Sequence, residues 1–184
     1  MEKKLTQRDL FRNLLRAAVD PFSSLEKVQD IETIFKTSNA FEGMNHLTLA
    51  KSYLEPSLFP FHIGRDEAIQ QAKLAIQEKN YIGYYYLYLL SNTESEKRKY
   101  LRLSVFYSYP VAYLEYARLV HDGISFTKNV EEAYHYYALA AQKKRNEGYD
   151  GMIRIDIERG DYEQEKKDIQ LAKQNGYSVM GYIE

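Results

Sequence analysis

The segment from residue 112 to 141 constrains the fold more than any other part of this chain. It reads as one helix, a turn centred on glycine, and a second helix that ends in Ala-Ala. Small side chains recur where two helices would touch, with Ala117 in the first helix and Ala133 and Ala140 in the second. Gly123 stands where the first helix should end, because glycine is common just after a helix C-terminus. The pattern predicts a helical hairpin, which buries its apolar face only by stacking on neighbours.

The rest of the chain has the same helical character. Capping boxes formed by Thr6 with Asp9 and by Ser23 with Glu26 mark two early helix starts. No segment shows the strict apolar–polar alternation of a half-buried strand, so we expect no sheet. Apolar residues at helical spacing predict about ten helices in all. After the first two, the predicted helices cover 42–54, 65–79, 80–91, 94–107, 110–121, 129–144, 147–159 and 161–175.

One long loop interrupts the helices, at residues 55–64. It contains two prolines and a glycine, so it cannot be helical throughout. Its apolar side chains Leu58, Phe59 and Phe61 are expected to fold back onto the neighbouring helices, because isolated apolar side chains gain free energy by leaving water.

Charge and cysteine content exclude several classes of protein. The 25 basic and 26 acidic residues nearly balance, whereas a general polyanion binder carries a basic excess, so we expect no nucleic-acid or membrane partner. The chain has no cysteine, which excludes disulfides and thiol catalysis. Apolar residues near the N-terminus are interrupted by Arg12, Asn13 and Arg16, unlike those of a signal peptide. No apolar run could span a bilayer, so we expect a cytoplasmic protein.

The hairpin region resembles the Sel-one-like repeat, a relative of the tetratricopeptide repeat. The family pattern runs A-x-x-x-L-G-x-x-Y-x-x-G-x-G-V-x-x-D-x-x-K-A-x-x-Y-Y-x-x-A-A. Two positions depart from it in the turn, where Ser125 replaces the second glycine and Phe126 replaces the valine. The residues that carry the match are Ala112, Tyr116, Ala117, Gly123, Asn129, Ala133, Tyr136, Tyr137, Ala140 and Ala141.

Three weaker copies of the repeat surround this one, so the resemblance covers about residues 42–177. It implies an all-α fold, an α/α superhelix (solenoid) of about four helical hairpins. Residues 1–40 are interpreted as an N-terminal helical cap, since solenoids need capped ends. Residues 41–184 then form the solenoid, in a single compact unit with the cap. The family resemblance implies a non-enzymatic adaptor in protein–protein assembly.

The sequence shows no pattern typical of catalysis. None of the four histidines, at 46, 62, 121 and 135, has a metal-binding spacing with another ligand. No nucleophile elbow, phosphate loop or dinucleotide fingerprint occurs. Most carboxylates stand beside Lys or Arg at helical spacing, as between Asp161 and Lys173, which is typical of a solvated helix face. We therefore predict no catalytic residue, no bound metal and no cofactor.

The packing pattern of the repeat predicts a binding surface. In the first helix of each hairpin, most positions of the repeat pattern are buried. Two positions remain outside this packing, and they lie one helical turn apart on the same face. First helices of stacked hairpins line the concave side, and Tyr and Arg are enriched among residues that dominate binding energy. We predict that a peptide or protein partner contacts the aromatic and charged side chains at these positions, which are Tyr85, Tyr88, Glu115, Arg118 and Arg154.

Alternatives stay open for both the tyrosines and the function. The tyrosines could pack beneath the 55–64 loop instead of lining a groove. If exposed, their truncation should change folding stability little. The leading hypothesis is an interaction scaffold. The others are a helical small-molecule-binding protein or hydrolase with a Tyr-lined pocket, and a bacterial immunity or effector module. Self-association of the chain is also possible.

Overall fold

The structure, a computed structural model, describes residues 46–58 and 63–178. Within these ranges every regular element is helical, which confirms the predicted all-α class. A 3-10 helix spans Pro56–Leu58. The α-helices are α1 (His46–Leu54), α2 (Arg65–Gln77), α3 (Gly83–Leu90), α4 (Glu94–Phe106), α5 (Pro110–Asp122), α6 (Val130–Gln142), α7 (Glu147–Arg159) and α8 (Tyr162–Gln174).

The chain divides into two compact units, Met1–Glu78 and Lys79–Glu184. In the first unit α1 packs against α2. Ala68, Ala72 and Ala75 of α2 are all buried, as their spacing along one helix face predicts. The predicted cap at 1–40 and its boundary at residue 40 lie outside the described residues and stay predictions.

The 55–64 loop corrects one expectation. Leu58, expected to fold back onto the helices, is 65% exposed. It ends a single 3-10 turn whose three residues are all exposed, so that turn does not direct its side chains inward. Phe59 and Phe61 lie outside the described residues.

In the second unit each helix from α3 to α8 packs against the next in the chain. Three starts are capped by side chains that accept a hydrogen bond from a backbone N–H three residues later. The capping residues are Thr93 before α4, Asn129 before α6 and Asp161 before α8. Each such cap satisfies one of the N–H groups that a helix start leaves unpaired.

Small residues set the spacing of α5, α6 and α7. Ala117 of α5 and Ala133 and Ala140 of α6 are fully buried, as the hairpin pattern predicts. Gly148 of α7 lies so close to α6 that an added Cβ would be 2.4 Å from the Tyr137 carbonyl oxygen. Real Cβ atoms do not approach a backbone oxygen so closely, so only glycine permits this contact.

The turn between α5 and α6 uses the left-handed backbone region twice. Gly123 ends α5 with φ 73°, which glycine adopts at little cost. Ser125, which stands where the family pattern has glycine, has φ 61°, a conformation that L-residues other than Asn and Asp rarely adopt. Its carbonyl oxygen accepts a 3.4 Å hydrogen bond from Arg98 of α4, and its hydroxyl hydrogen-bonds Glu94. These two hydrogen bonds anchor Ser125 to α4.

Two side chains have a burial that contrasts with their chemical type. Leu89 is 45% exposed, because Leu87 and Leu90, three residues apart, occupy the inner face of α3. Asp168 lies in the stretch interpreted as a solvated charged face, yet it is 3% exposed. None of the described helices has the length and apolar character needed to cross a bilayer.

Candidate binding groove

Four of the five side chains predicted to bind a partner line one groove in the second unit. Tyr85 comes from α3, Glu115 and Arg118 from α5, and Arg154 from α7. The groove encloses about 370 Å³. Its remaining lining residues are Val111, Leu114, Tyr137, Glu147, Asp150 and Gly151.

The fifth predicted residue, Tyr88, stands beside the groove and bonds to one of its walls. Its hydroxyl donates a 2.7 Å hydrogen bond to Glu115 Oε1. Since Glu115 lines the groove, the structure brings all five predicted residues into one connected cluster.

Glu115 and Arg118 form a well-defined pair because residues three apart on a helix are surface neighbours. Arg118 donates from Nη2 to Glu115 Oε1 at 2.9 Å and from Nε to Oε2 at 3.2 Å, a two-pronged contact of high directionality. Arg118 Nη1 also lies 3.8 Å from Asp122. Burial raises the pKa of Glu115, but the hydrogen bonds from Arg118 and Tyr88 outweigh it and hold that pKa below its usual value.

Tyr85 and Tyr88 are partly buried rather than exposed, so the condition under which their truncation should change folding stability little is not met. Both pack against the core of the second unit, and their rings lie 5.6 Å apart. Burial, followed by the charge of Glu115, raises the pKa of Tyr85 to about 12. Burial and the hydrogen bond to Glu115 raise the pKa of Tyr88 as well. Both hydroxyls therefore stay protonated near neutral pH.

The groove depends on a glycine. Gly151 is buried, because the Tyr137 ring lies across it. A Cβ at this position would be 2.3 Å from the ring. Gly151 therefore lets Tyr137, itself 5% exposed, lie against α7 in the lining of the groove.

Tyr137 in turn holds Arg154. The Arg154 Nη2 atom donates a 2.8 Å hydrogen bond to the Tyr137 hydroxyl. The guanidinium carbon lies 5.9 Å from the centre of the same ring, within cation–π range. The same Nη2 atom is 3.4 Å from Nδ1 of His121, a side chain only 4% exposed. The other ring nitrogen of His121 hydrogen-bonds Glu158 at 2.8 Å.

The acidic rim of the groove consists of Glu147 and Asp150 at the start of α7. Glu147 accepts a 2.8 Å hydrogen bond from Arg145, and Asp150 accepts a 2.6 Å bond from the Tyr177 hydroxyl. That bond, with burial and the Asp150 charge, raises the pKa of Tyr177 to about 12. The two acids are thus already engaged by neighbouring donors.

Sequence reasoning missed Tyr137, His121 and Asp150. Tyr137 was assigned only to repeat packing, His121 was considered only as a metal ligand, and Asp150 was not considered. His121 lies on α5 and Tyr137 on α6. They contact Arg154 because α7 packs against both of these helices. The sequence does contain an indication for Tyr137. Gly151 lies in the next helix, and a glycine there allows a large ring to approach closely.

A buried pair of carboxyl groups, also missed, links α7 and α8 outside the groove. Asp156 is 1% exposed and Asp168 is 3% exposed. Asp168 accepts hydrogen bonds from the Tyr134 hydroxyl at 2.5 Å and from Gln164 at 3.0 Å. Burial and the nearby Asp168 raise the pKa of Asp156 to about 7, because two carboxylates in contact resist being charged together.

A second group of tyrosines accounts for a further part of the 18 tyrosines in the chain. Tyr107 stacks on Tyr81 at 3.9 Å and on Tyr84 at 5.3 Å between ring centres. Phe106 beside them is 76% exposed. These rings line no part of the groove.

Within residues 46–58 and 63–178, no three His, Cys, Asp or Glu side chains are placed to hold a metal ion. No protein-family model, curated protein or solved structure matches this chain. The Sel-one-like resemblance therefore remains an interpretation of the sequence.

Proposed function

We propose that this chain is a non-enzymatic scaffold that binds a peptide or protein partner in the groove between α3, α5 and α7. One observation carries the proposal. The repeat pattern leaves certain positions outside the buried helix contacts, and the residues selected at these positions come from three separate helices. Four of them line the same groove. A binding surface needs this convergence, whereas unrelated surface residues do not require it.

The chemistry of the groove suits a peptide. Val111 and Leu114 supply apolar area, and Tyr85 adds a large ring that is already held by its neighbours. An ordered aromatic side chain loses little conformational freedom on binding, so more of the contact energy contributes to affinity. Arg118, held by the two hydrogen bonds that it donates to Glu115, is similarly ordered before a partner arrives.

The same features speak against catalysis in the groove. A general acid or base works best with a pKa near the operating pH. The pKa of Tyr85 is raised to about 12, and the pKa of Glu115 is lowered. Asp156, whose pKa is raised to about 7, is not among the lining residues.

We further propose that the second unit is a Sel-one-like solenoid. Successive helices pack in chain order from α3 to α8. In addition, α5 contacts α7, the helix two positions later, as first helices of neighbouring hairpins do in a stack. The small buried residues of the matched copy support the same reading.

The test begins with affinity capture from the native cell with the tagged chain, and mass spectrometry identifies the captured proteins. The purified partner is then titrated against the chain. We expect Arg118→Ala to weaken that partner by roughly 1–2 kcal/mol. Arg159→Ala removes an exposed arginine on another part of α7, which pairs with Glu131 of α6, and it should not weaken binding. A partner that binds both variants with wild-type affinity would contradict the proposed surface.

A small molecule is the second candidate, favoured by the groove volume of about 370 Å³, which lies in the range of ligand sites. Native mass spectrometry of the purified chain decides between the two. A stoichiometric bound metabolite that is lost in Arg118→Ala would support this candidate instead. The identity of a captured protein would also reveal an immunity or effector role.

A further inference from the structure

The charged side chains of the groove differ in whether they already have a partner of opposite charge. Arg118 is paired with Glu115 at 2.9 Å and lies near Asp122. Glu147 is paired with Arg145 at 2.8 Å. The two charges of each pair neutralise one another within the protein, so a carboxylate of the partner gains little by displacing the acid from either pair.

Arg154 is different. No carboxylate among the described residues forms an ion pair with it, and its two hydrogen-bond contacts are the Tyr137 hydroxyl and His121 Nδ1. Neither of these groups is an anion. Asp150, one turn earlier on α7, accepts its hydrogen bond from Tyr177 instead. The guanidinium therefore lines the groove with no carboxylate of the described residues within ion-pair distance.

Arg154 is also held in place, unlike an ordinary surface arginine. Its two contacts are to side chains that are 5% and 4% exposed, Tyr137 and His121. Both hydrogen-bond contacts use Nη2, so the other guanidinium N–H groups remain available to a ligand. A pre-ordered guanidinium loses less freedom on binding than a mobile one.

We propose that the groove recognises a carboxylate group of its peptide partner through Arg154. This inference rests on the proposed function, because it names the chemistry of the partner at the same groove. A carboxylate fits the planar fork of a guanidinium with two parallel hydrogen bonds. A dianionic phosphate fits this groove less well, because three carboxylates, of Glu115, Glu147 and Asp150, line it beside only two guanidinium groups.

The carboxylate can come from two sources, the C-terminus of a peptide or an Asp or Glu side chain. Two display libraries of random dodecapeptides separate them, one with free C-termini and one with the C-terminus fused to the carrier. Each library is selected on the immobilised full chain. Enriched peptides are then synthesised, and their affinities are measured by fluorescence anisotropy with the carboxylate intact and with it neutralised, as a C-terminal amide or as Gln for Glu.

Neutralising the peptide carboxylate is expected to weaken binding to the wild-type chain by roughly tenfold to a hundredfold, as for other hydrogen bonds between charged groups. With Arg154→Gln the charged and neutral peptides should bind alike. Arg159→Gln, which removes one positive charge from the same helix outside the groove, should retain the wild-type preference. Preference in the free C-terminus library alone assigns a terminal carboxylate, and preference in both libraries assigns an acidic side chain.

Three results would overturn the inference and are distinguishable from one another. Peptides that bind Arg154→Gln and wild type equally, with no preference for the carboxylate, would refute it while leaving the peptide-binding function intact. Absence of any groove-dependent peptide from either library would refute both proposals. Self-association of the chain that is lost in Arg154→Gln would assign the groove to a second copy and likewise reject a peptide carboxylate.

Discussion

The hydroxyl of Tyr88 donates a 2.7 Å hydrogen bond to the carboxylate of Glu115, which joins α3 to α5 at the edge of the groove. The same carboxylate accepts two hydrogen bonds from Arg118. Glu115 therefore orders a tyrosine from one helix and an arginine from its own. Because the bond between Tyr88 and Glu115 connects helices that are not adjacent in the chain, it fixes side-chain positions that neither helix could fix alone.

Tyr88→Phe tests this relationship without removing the partly buried ring. We expect partner affinity to fall, since Glu115 and Arg118 lose one of the bonds that orient them. The free energy of unfolding in urea should fall by about 0.5–1.5 kcal/mol, the usual effect of one hydrogen bond. Tyr88→Ala should lose more stability, because it also removes the ring from the core. Equal stability of the two variants would mean that the ring contributes nothing to packing.

Gly148→Ala tests the close approach of α7 to α6. The added Cβ would lie 2.4 Å from the Tyr137 carbonyl oxygen and 2.6 Å from the Ala141 nitrogen. Both are backbone atoms, so the helices must separate, and we expect a loss of about 2–4 kcal/mol of stability. Gly64→Ala is the control, because nothing lies within 4 Å of the Cβ it would add. Comparable melting temperatures for the two variants would contradict this packing.

Asp156→Asn tests the buried carboxyl pair through its pH dependence. The pKa of Asp156 is raised in the folded protein from 3.8 to about 7, so the folded state holds a proton that the unfolded state has lost between these values. The contribution of this group is therefore complete below about pH 4 and is lost as the pH rises through about 7. Asp156→Asn keeps a neutral side chain that can donate to Asp168. It should raise the free energy of unfolding at pH 8 by about 1–3 kcal/mol, with little change at pH 4.

Urea unfolding at both pH values measures this effect. The matched control is Glu163→Gln on α8, an exposed acid that lies 3.6 Å from Lys166. It should change stability by less than about 1 kcal/mol at either pH. If Asp156→Asn destabilises the protein equally at both pH values, the two carboxyl groups do not share a proton.

Ser125 tests the strain in the turn between α5 and α6. Its φ of 61° is easier for glycine than for any side chain with a Cβ. Ser125→Gly and Ser125→Ala both remove the hydroxyl that bonds Glu94, and only Ser125→Ala retains the Cβ. We expect the glycine variant to be more stable than the alanine variant by about 1 kcal/mol. Thermal unfolding of the pair measures the difference, and the opposite order would show that the turn relaxes away from this conformation.

The groove could be anticipated from sequence to a limited extent. The repeat pattern identifies positions free of packing, and Tyr85, Glu115, Arg118 and Arg154 were selected in this way. The pattern could not reveal that Tyr85 and Tyr88 are partly buried. Side-chain burial depends on which residues of neighbouring helices pack against the side chain. Tyr109, at the start of α5, packs against Tyr85 with 5.2 Å between ring centres.

Local sequence by itself determined the helical class, the approximate helix limits and the buried alanines at 117, 133 and 140. These features follow from periodicity, capping and side-chain size, which act within a few residues of the chain. Only the tertiary structure decided that His121 and Tyr137 meet Arg154, and that Asp156 and Asp168 share a buried site. The contacts of Arg154 and His121 join residues that lie 17 to 37 positions apart in the sequence. Such contacts depend on the packing of whole helices, because no local pattern specifies which face of one helix meets which face of another.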